Sequence, residues 1–216
     1  MLSQLRKRKN RRGQPVREST VQHYLSAVSA VLSDAKRNEI IQTNPARMID
    51  LPTTNRMEQH IPTVQEVQRL LQALSMEPRH FRVFYLLAMA TGCRRGELCA
   101  LQWQDIDWEQ RSIHICRSAV KITGDEIFVK EPKTRSGDRY VYFSAQMENL
   151  LREYRRACQY ITTIYDEREL DTNDFLFRRQ GTRLPMTPTT FTWRFKCILK
   201  KNGLPQELNV HSLRHT

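Results

Sequence analysis

Apolar positions along the chain change period twice, and each change marks a change of element. From Ser19 onward, Val21, Tyr24, Leu25, Val28, Val31 and Leu32 recur at spacings of three and four, which predicts an amphipathic helix. Ser19 or Thr20 is the expected cap for its free N–H groups. A second short helical stretch is expected over Glu39 to Ile41, broken by Asn44-Pro45. Beyond a polar stretch bracketed by Pro52 and Pro62, Thr63 and Glu66 have the spacing of a capping box. Val64, Val67, Leu70, Leu71 and Leu74 then form an apolar stripe. The run RVFYLLAMA, residues 82–90, is apolar nearly all round and predicts a buried central helix that Gly92 ends in a left-handed cap.

After Asp107 the period drops towards two. SIHIC, EIFVK and RYVYF are short, β-branched and aromatic, separated by turn residues at Thr123-Gly124-Asp125 and Ser136-Gly137-Asp138. They predict a three-stranded antiparallel meander. Helical spacing returns from about Ala145 to Tyr160. Thr187-Pro188 opens a last helix with Phe191, Phe195, Ile198 and Leu199 on its buried face and Gly203 at its end. The expected fold is mainly α with one small antiparallel β-sheet, an α+β chain. Residues 1–52 are expected to be a partial helical domain, 53–62 a linker and 63–216 the main domain.

Composition sharpens the class of partner. The 216 residues hold 35 Lys+Arg against 23 Asp+Glu, a formal net charge of +12. A soluble basic protein and a binder of polyanions both fit; cationic side chains release counterions from nucleic-acid phosphates. The block LRKRKNRRG concentrates Arg6, Lys7, Arg8, Lys9, Arg11 and Arg12, either as a solvated basic loop or as a loose nucleic-acid contact. Five scattered cysteines with no C-x-x-C pair argue against a disulfide framework or a zinc site, and fit a reducing cytoplasm. No apolar run is long enough to span a membrane, and the N-terminus lacks an apolar signal region.

Four residues could carry chemistry. Arg94 follows the buried helix and its Gly turn, beside Arg95. Its planar fork suits phosphate oxygens, though a surface arginine tied to Glu97 is the plain alternative. Lys133 lies in EPKTRSGDRYVY near a hairpin turn, where it could donate a proton or merely guard a strand edge. His211 and Arg214, three apart in NVHSLRHT, share a face if that segment is helical, with Leu213 pointing into the core. They could equally be a basic cluster at a fraying end. Asp105 and Asp107 have the look of a metal pair, but capping and turn formation before the first strand is the preferred reading.

Taken together and in order, TGxRxGEL, LxWxDID, KTRSG on a hairpin and HxLRHT resemble the tyrosine recombinase (phage-type integrase) family. The likeness runs from residue 63 to 216, and STVQHYLSAVSAVLSDAKRNEIIQTNPA resembles the end of that family's core-binding domain. The resemblance implies site-specific DNA recombination. A tyrosine attacks a phosphodiester, leaving a 3′-phosphotyrosyl link and a free 5′-hydroxyl, and the reverse step rejoins strands without ATP or metal. It implies Arg94 and Arg214 as clamps on the non-bridging oxygens, Lys133 as general acid to the 5′-oxygen, and His211 as an aid to proton transfer. Arg95 is implied to lie at the surface or on DNA backbone, and Glu97 to support the arginine. The implied partner is double-stranded DNA, with no cofactor, and family members assemble as tetramers on it.

Tyr142 stands where the family usually has proline, and Cys93 where a larger apolar residue is usual. The implied nucleophile follows the HxLRHT motif, yet all seven tyrosines (24, 85, 140, 142, 154, 160 and 165) precede His211. The chain alone is therefore expected to lack strand cleavage and to self-associate weakly. A non-catalytic DNA-binding remnant is the alternative. A type IB topoisomerase would share much of the site but not the paired core-binding segment.

Overall fold

The structure, a computed structural model, describes residues 7–9, 13–49, 60–122, 126–131 and 137–215. The chain divides into two compact units, Met1–Glu58 and Gln59–Thr216.

The first unit is built on helix α1 (Glu18–Arg37), which buries Val21 and Leu25. Its cap is Arg17, in extended conformation and without a side-chain hydrogen bond, so Ser19 and Thr20 fall inside the first turn rather than capping it. Glu18 at the start and Lys36 and Arg37 at the end instead complement the helix dipole. Tyr24 and Val31, expected on the apolar face, are exposed. Residues 39–41 are not helical: Glu39 takes φ 59°, and Ile40 N–H closes back onto the Ala35 carbonyl at 2.9 Å. Asn44-Pro45 starts an element instead of breaking one. The Asn44 side chain accepts from Ala46 N–H at 3.0 Å and opens the 3₁₀ turn Pro45–Met48, while its amide donates to the Ser29 carbonyl and Ser33 Oγ, both at 2.9 Å. That one side chain fixes the turn against α1.

The second unit opens on α2 (Val64–Ser75) with the expected capping box: Thr63 N–H donates to Glu66 at 2.8 Å and Glu66 N–H to Thr63 Oγ1 at 3.3 Å. Its buried face is Leu70, Ala73 and Leu74; Val64 and Leu71 are exposed. Helix α3 (Arg79–Thr91) is the central helix, burying Val83, Phe84, Tyr85, Leu87 and Ala88, and Gly92 ends it at φ 60°, where a side chain would be strained. The five-residue α4 (Arg95–Cys99) follows at once. Two long helices close the core: α5 (Ala145–Tyr165) and α6 (Pro188–Lys201), the latter capped by Thr187 with proline at its first position. Phe191, Phe195, Ile198 and Leu199 of α6 are buried as expected, and Phe191 stacks on Phe84. The Tyr85 hydroxyl reaches the Phe191 carbonyl at 2.7 Å, tying α3 to α6.

The strands depart from a single meander. β1 (Ile106–Asp107), β2 (Ser112–Ile115) and β5 (Arg139–Tyr142) form one antiparallel sheet in the order β1-β2-β5. β3 (Ser118–Lys121) and β4 (Ile127–Lys130) form a separate antiparallel pair. EIFVK therefore pairs with SAVK, a strand that periodicity did not reveal, rather than with SIHIC. Two contacts explain the split. Arg117 leaves the first sheet to pair with buried Asp105, 2.7 Å from Oδ2, and Ala119 buries itself where β3 packs on α4. Among the described residues no helix is long and apolar enough to cross a membrane.

Candidate phosphate-binding site

The site begins at the end of α3. Gly92 reverses the chain, Cys93 is buried, and Arg94 takes the extended conformation of an N-cap. An arginine has no acceptor with which to cap N–H groups, so the cap here comes from Glu97 reaching back. Its Oε2 accepts Arg94 N–H at 2.8 Å and its Oε1 accepts Arg94 Nη1 at 2.8 Å. The Glu97 side chain is 7% exposed and that of Arg94 62%. The carboxylate is thus the buried anchor and the guanidinium faces outward.

Glu97 has a second partner. Arg139, on β5, donates Nη2 to Oε2 at 2.8 Å and Nη1 to Oε1 at 3.3 Å. Burial pushes the Glu97 pKa up, but hydrogen bonds from Arg139 and Arg94 outweigh it and hold the carboxyl below its ordinary value. It stays ionised. Arg139 Nη2 also lies 3.8 Å from Cys93 Sγ. Burial raises the Cys93 thiol pKa, while the Thr91 hydroxyl and the charges of Arg139 and Arg214 oppose the rise. The cations of Arg94 and Arg139 thus share one buried carboxylate.

The C-terminal segment turns at Asn209. Its side-chain oxygen accepts His211 N–H at 2.8 Å and Ser212 N–H at 3.0 Å, and Ser212 Oγ returns a bond to the Asn209 carbonyl at 2.7 Å. This starts the 3₁₀ turn Ser212–His215, which lies against α3 with Leu213 fully buried. The segment is thus 3₁₀ rather than α-helical. Arg214 N–H bonds to the His211 carbonyl at 3.2 Å, one full 3₁₀ turn apart, so His211 and Arg214 stand on the same side as expected. His211 is exposed and Arg214 half-buried.

The other candidates divide. Lys133, Arg6, Arg11 and Arg12 lie outside the described residues; Lys7, Arg8 and Lys9 are exposed in the first unit. Arg95 bonds to Thr192 Oγ1 and joins α4 to α6 at the surface. Asp105 accepts Gln102 N–H at 2.7 Å and pairs with Arg117, and Asp107 accepts the N–H groups of Glu109 and Gln110, each at 2.9 Å: these are cap and turn roles. Among the described residues no group of three His, Cys, Asp or Glu could hold a metal ion. Arg139 and Asn209 were missed. Alternation in RYVYF was the available signal for Arg139, since period two puts it on the inward side with Val141 and turns Tyr140 and Tyr142 outward.

Comparison with known proteins supplies the context. A model described as the phage integrase family matches residues 62–216. The ICEBs1 integrase of Bacillus subtilis (strain 168) is 24% identical over 197 residues, covering 91% of this chain and 52% of that protein. The structure of the Tn1549 transposon integrase in complex with transposon right end DNA superposes with a TM-score of 0.76 at 22% identity, over 93% of this chain and 65% of that one. A lambda integrase tetramer bound to a Holliday junction gives a TM-score of 0.61 at 20% identity, over 92% of this chain and 52% of that one. At these identities the two structures establish the α+β fold. The chain spans about half the length of the curated relatives it matches.

Proposed function

The chain belongs to the phage integrase family, and from that membership we propose that it serves site-specific DNA recombination by breakage and rejoining through a phosphotyrosyl intermediate. The observation that supports this reading is the guanidinium of Arg94, 62% exposed and held by buried Glu97 directly after α3, the helix against which the turn bearing Arg214 packs. In this reading both guanidiniums oppose the charge that builds on the non-bridging oxygens as the tyrosine oxygen bonds to phosphorus and the 5′-oxygen leaves. Losing one such donor lowers rates by about 10²–10³. Lys133 gives the departing 5′-oxygen its proton and His211 assists proton transfer at the phosphate. The attacking tyrosine is assigned to none of the seven here. All precede His211, and Tyr85 and Tyr154 are buried with their hydroxyls bonded to the carbonyls of Phe191 and Leu176.

The partner in this reading is double-stranded DNA in the cytoplasm, on the nucleoid. The basic block Arg6 to Arg12 follows the phosphate backbone and assembly is as a tetramer, with weak self-association for these 216 residues alone. The formal net charge of +12 also fits a second reading, in which these residues occupy DNA without cutting it. One experiment separates them. Protein made in its native cell is trapped on genomic DNA with SDS, and the covalently attached fragments are sequenced. Recurrent fragments sharing one junction support recombination; salt-sensitive binding with no covalent adduct supports occupation alone. For either, log K should fall with log salt by about 0.9 per phosphate contact, and an affinity indifferent to salt would sink both.

A further inference from the structure

We propose that Arg139 is a positioning residue that aims Arg94 by saturating Glu97, an inference that rests on reading Arg94 as a phosphate ligand. A carboxylate offers about four acceptor positions. At Glu97 all four contacts are filled: Arg94 Nη1 and Arg139 Nη1 on Oε1, at 2.8 and 3.3 Å, and Arg94 N–H and Arg139 Nη2 on Oε2, both at 2.8 Å. Arg139 therefore occupies the oxygen on which Arg94 would otherwise close as a two-pronged pair. Among the described residues the Arg94 guanidinium donates to Glu97 alone, through one nitrogen, and keeps its remaining N–H groups facing outward on a side chain that is 62% exposed. Arg139 itself is 28% exposed and turned to the interior side of β5. Its fork is directed at the carboxylate and Cys93, so it acts through Glu97 rather than on a ligand.

Without Arg139, Glu97 retains its charge and its bond to the Arg94 backbone but loses two of four donors. The nearest cation to recruit is the Arg94 guanidinium, which is then drawn inward as a bidentate pair and taken from the ligand. Charge alone does not replace the missing fork, because a lysine ammonium cannot fill both oxygens in the same plane.

The test uses the 216-residue chain labelled with ¹⁵N and reads the Nε–Hε signal of Arg94, assigned by its absence in Arg94→Lys. Inorganic phosphate is the probe. In the unsubstituted chain the signal should shift on adding phosphate. In Arg139→Met it should move to a new position before phosphate is added and then lose the phosphate response, with Arg139→Lys recovering part of it. An Arg94 signal that keeps its position and its phosphate response in Arg139→Met, while only the melting temperature falls, would overturn the positioning role. Should Arg139→Met fail to fold, Arg139→Lys carries the test: a displaced Arg94 signal with a reduced phosphate response supports the positioning role, and a position and response equal to those of the unsubstituted chain overturn it. An unsubstituted chain whose Arg94 ignores phosphate overturns the functional reading instead, and that failure is read separately from the Arg139-dependent shift.

Discussion

Replacing Gly96 with alanine tests how closely α4, the helix that carries Arg94, sits on β3. A Cβ at this position would lie 2.7 Å from Ser118 Oγ and 2.8 Å from the Ala119 carbonyl oxygen. Favourable carbon contacts start at about 3.5 Å, so each approach is short by roughly 0.7 Å. The Ser118 hydroxyl can rotate away. The Ala119 carbonyl cannot do so cheaply, because β3 is held in register with β4, Ala119 opposite Val129. Overpacking of this kind costs about 1–3 kcal/mol. Against it stands the gain from replacing a helical glycine, about 0.5–1 kcal/mol. The clash wins, with a net loss of about 1–2 kcal/mol, which for a unit of this size lowers the melting temperature by roughly 2–8 °C. Thermal unfolding of Gly96→Ala and of Gly96→Ala/Ser118→Ala gives the measurement. The double variant should recover less than half of the loss, since the carbonyl stays. Unchanged or increased stability in the single variant would refute the close approach. Full recovery in the double variant would show that only the hydroxyl was in the way.

Three further outcomes follow from single contacts. Glu97 is held below its ordinary pKa of 4.5, so its contribution to stability is complete above that value and is lost as pH falls through the lower folded value. The difference in melting temperature between the unsubstituted chain and Glu97→Gln should therefore narrow as the solution is acidified from about pH 6 to about pH 3; a gap independent of pH would count against an ionised Glu97 as the stabilising form. Tyr85→Phe removes the 2.7 Å bond from a buried hydroxyl to the Phe191 carbonyl and should cost about 1 kcal/mol in urea unfolding, so an unchanged midpoint would argue against that link between α3 and α6. Leu213→Ala empties the buried contact under the Arg214 turn, a change worth about 2–5 kcal/mol in a closed core, and amide exchange at Ser212 and Arg214 should quicken. Equal protection in both chains would mean that Leu213 does not dock the turn.

What could be read from the residues was what is decided within a few positions. The Thr63–Glu66 box, the Gly92 stop and the Thr187-Pro188 start are local arrangements, and each stands where its spacing put it. The α3 and α6 cores were legible because their apolar faces are wide. β3 was not legible, because SAVK is four residues long and half polar, and its place is set by Gly96, more than twenty positions earlier. The turn at Glu39 was hidden because its closing bond returns from Ile40 to Ala35, inside the last turn of the helix. At the site, Arg94 and the pair His211 and Arg214 were found by motif. Arg139 was passed over because a strand arginine is usually a solvent-facing residue, and only the position of Glu97 gives it a partner inside. Asn209 was passed over because its work is backbone capping, which carries no charge to notice.

The arrangement around Glu97 addresses a difficulty that any exposed arginine has as a ligand-binding group. A free arginine side chain has about 2 kcal/mol of rotamer entropy to lose when it is fixed, so an unrestrained Arg94 would bind an anion weakly. Tethering it to a carboxylate reduces that loss but sets the carboxylate and the incoming anion in competition for the same N–H groups. Two features lower the competition here. The Arg94–Glu97 side-chain contact is a single bond whose guanidinium end is 62% exposed, so water screens it in part. Glu97 is also already neutralised by Arg139 from the interior side, so its residual pull on Arg94 is small. A backbone bond from Arg94 N–H to Glu97 holds the start of the side chain regardless of what its end is doing. Orientation is thus supplied by the buried half of the turn and affinity is left to the exposed half. This predicts an asymmetry between the two arginines: removing Arg94 takes away a charge the ligand touches, whereas removing Arg139 takes away the aim of a charge that is still present. Phosphate titrations of Arg94→Ala, Arg139→Met and the double variant should show it, with the second substitution adding nothing once Arg94 is gone. A full, additive loss in the double variant would mean that Arg139 touches the anion itself.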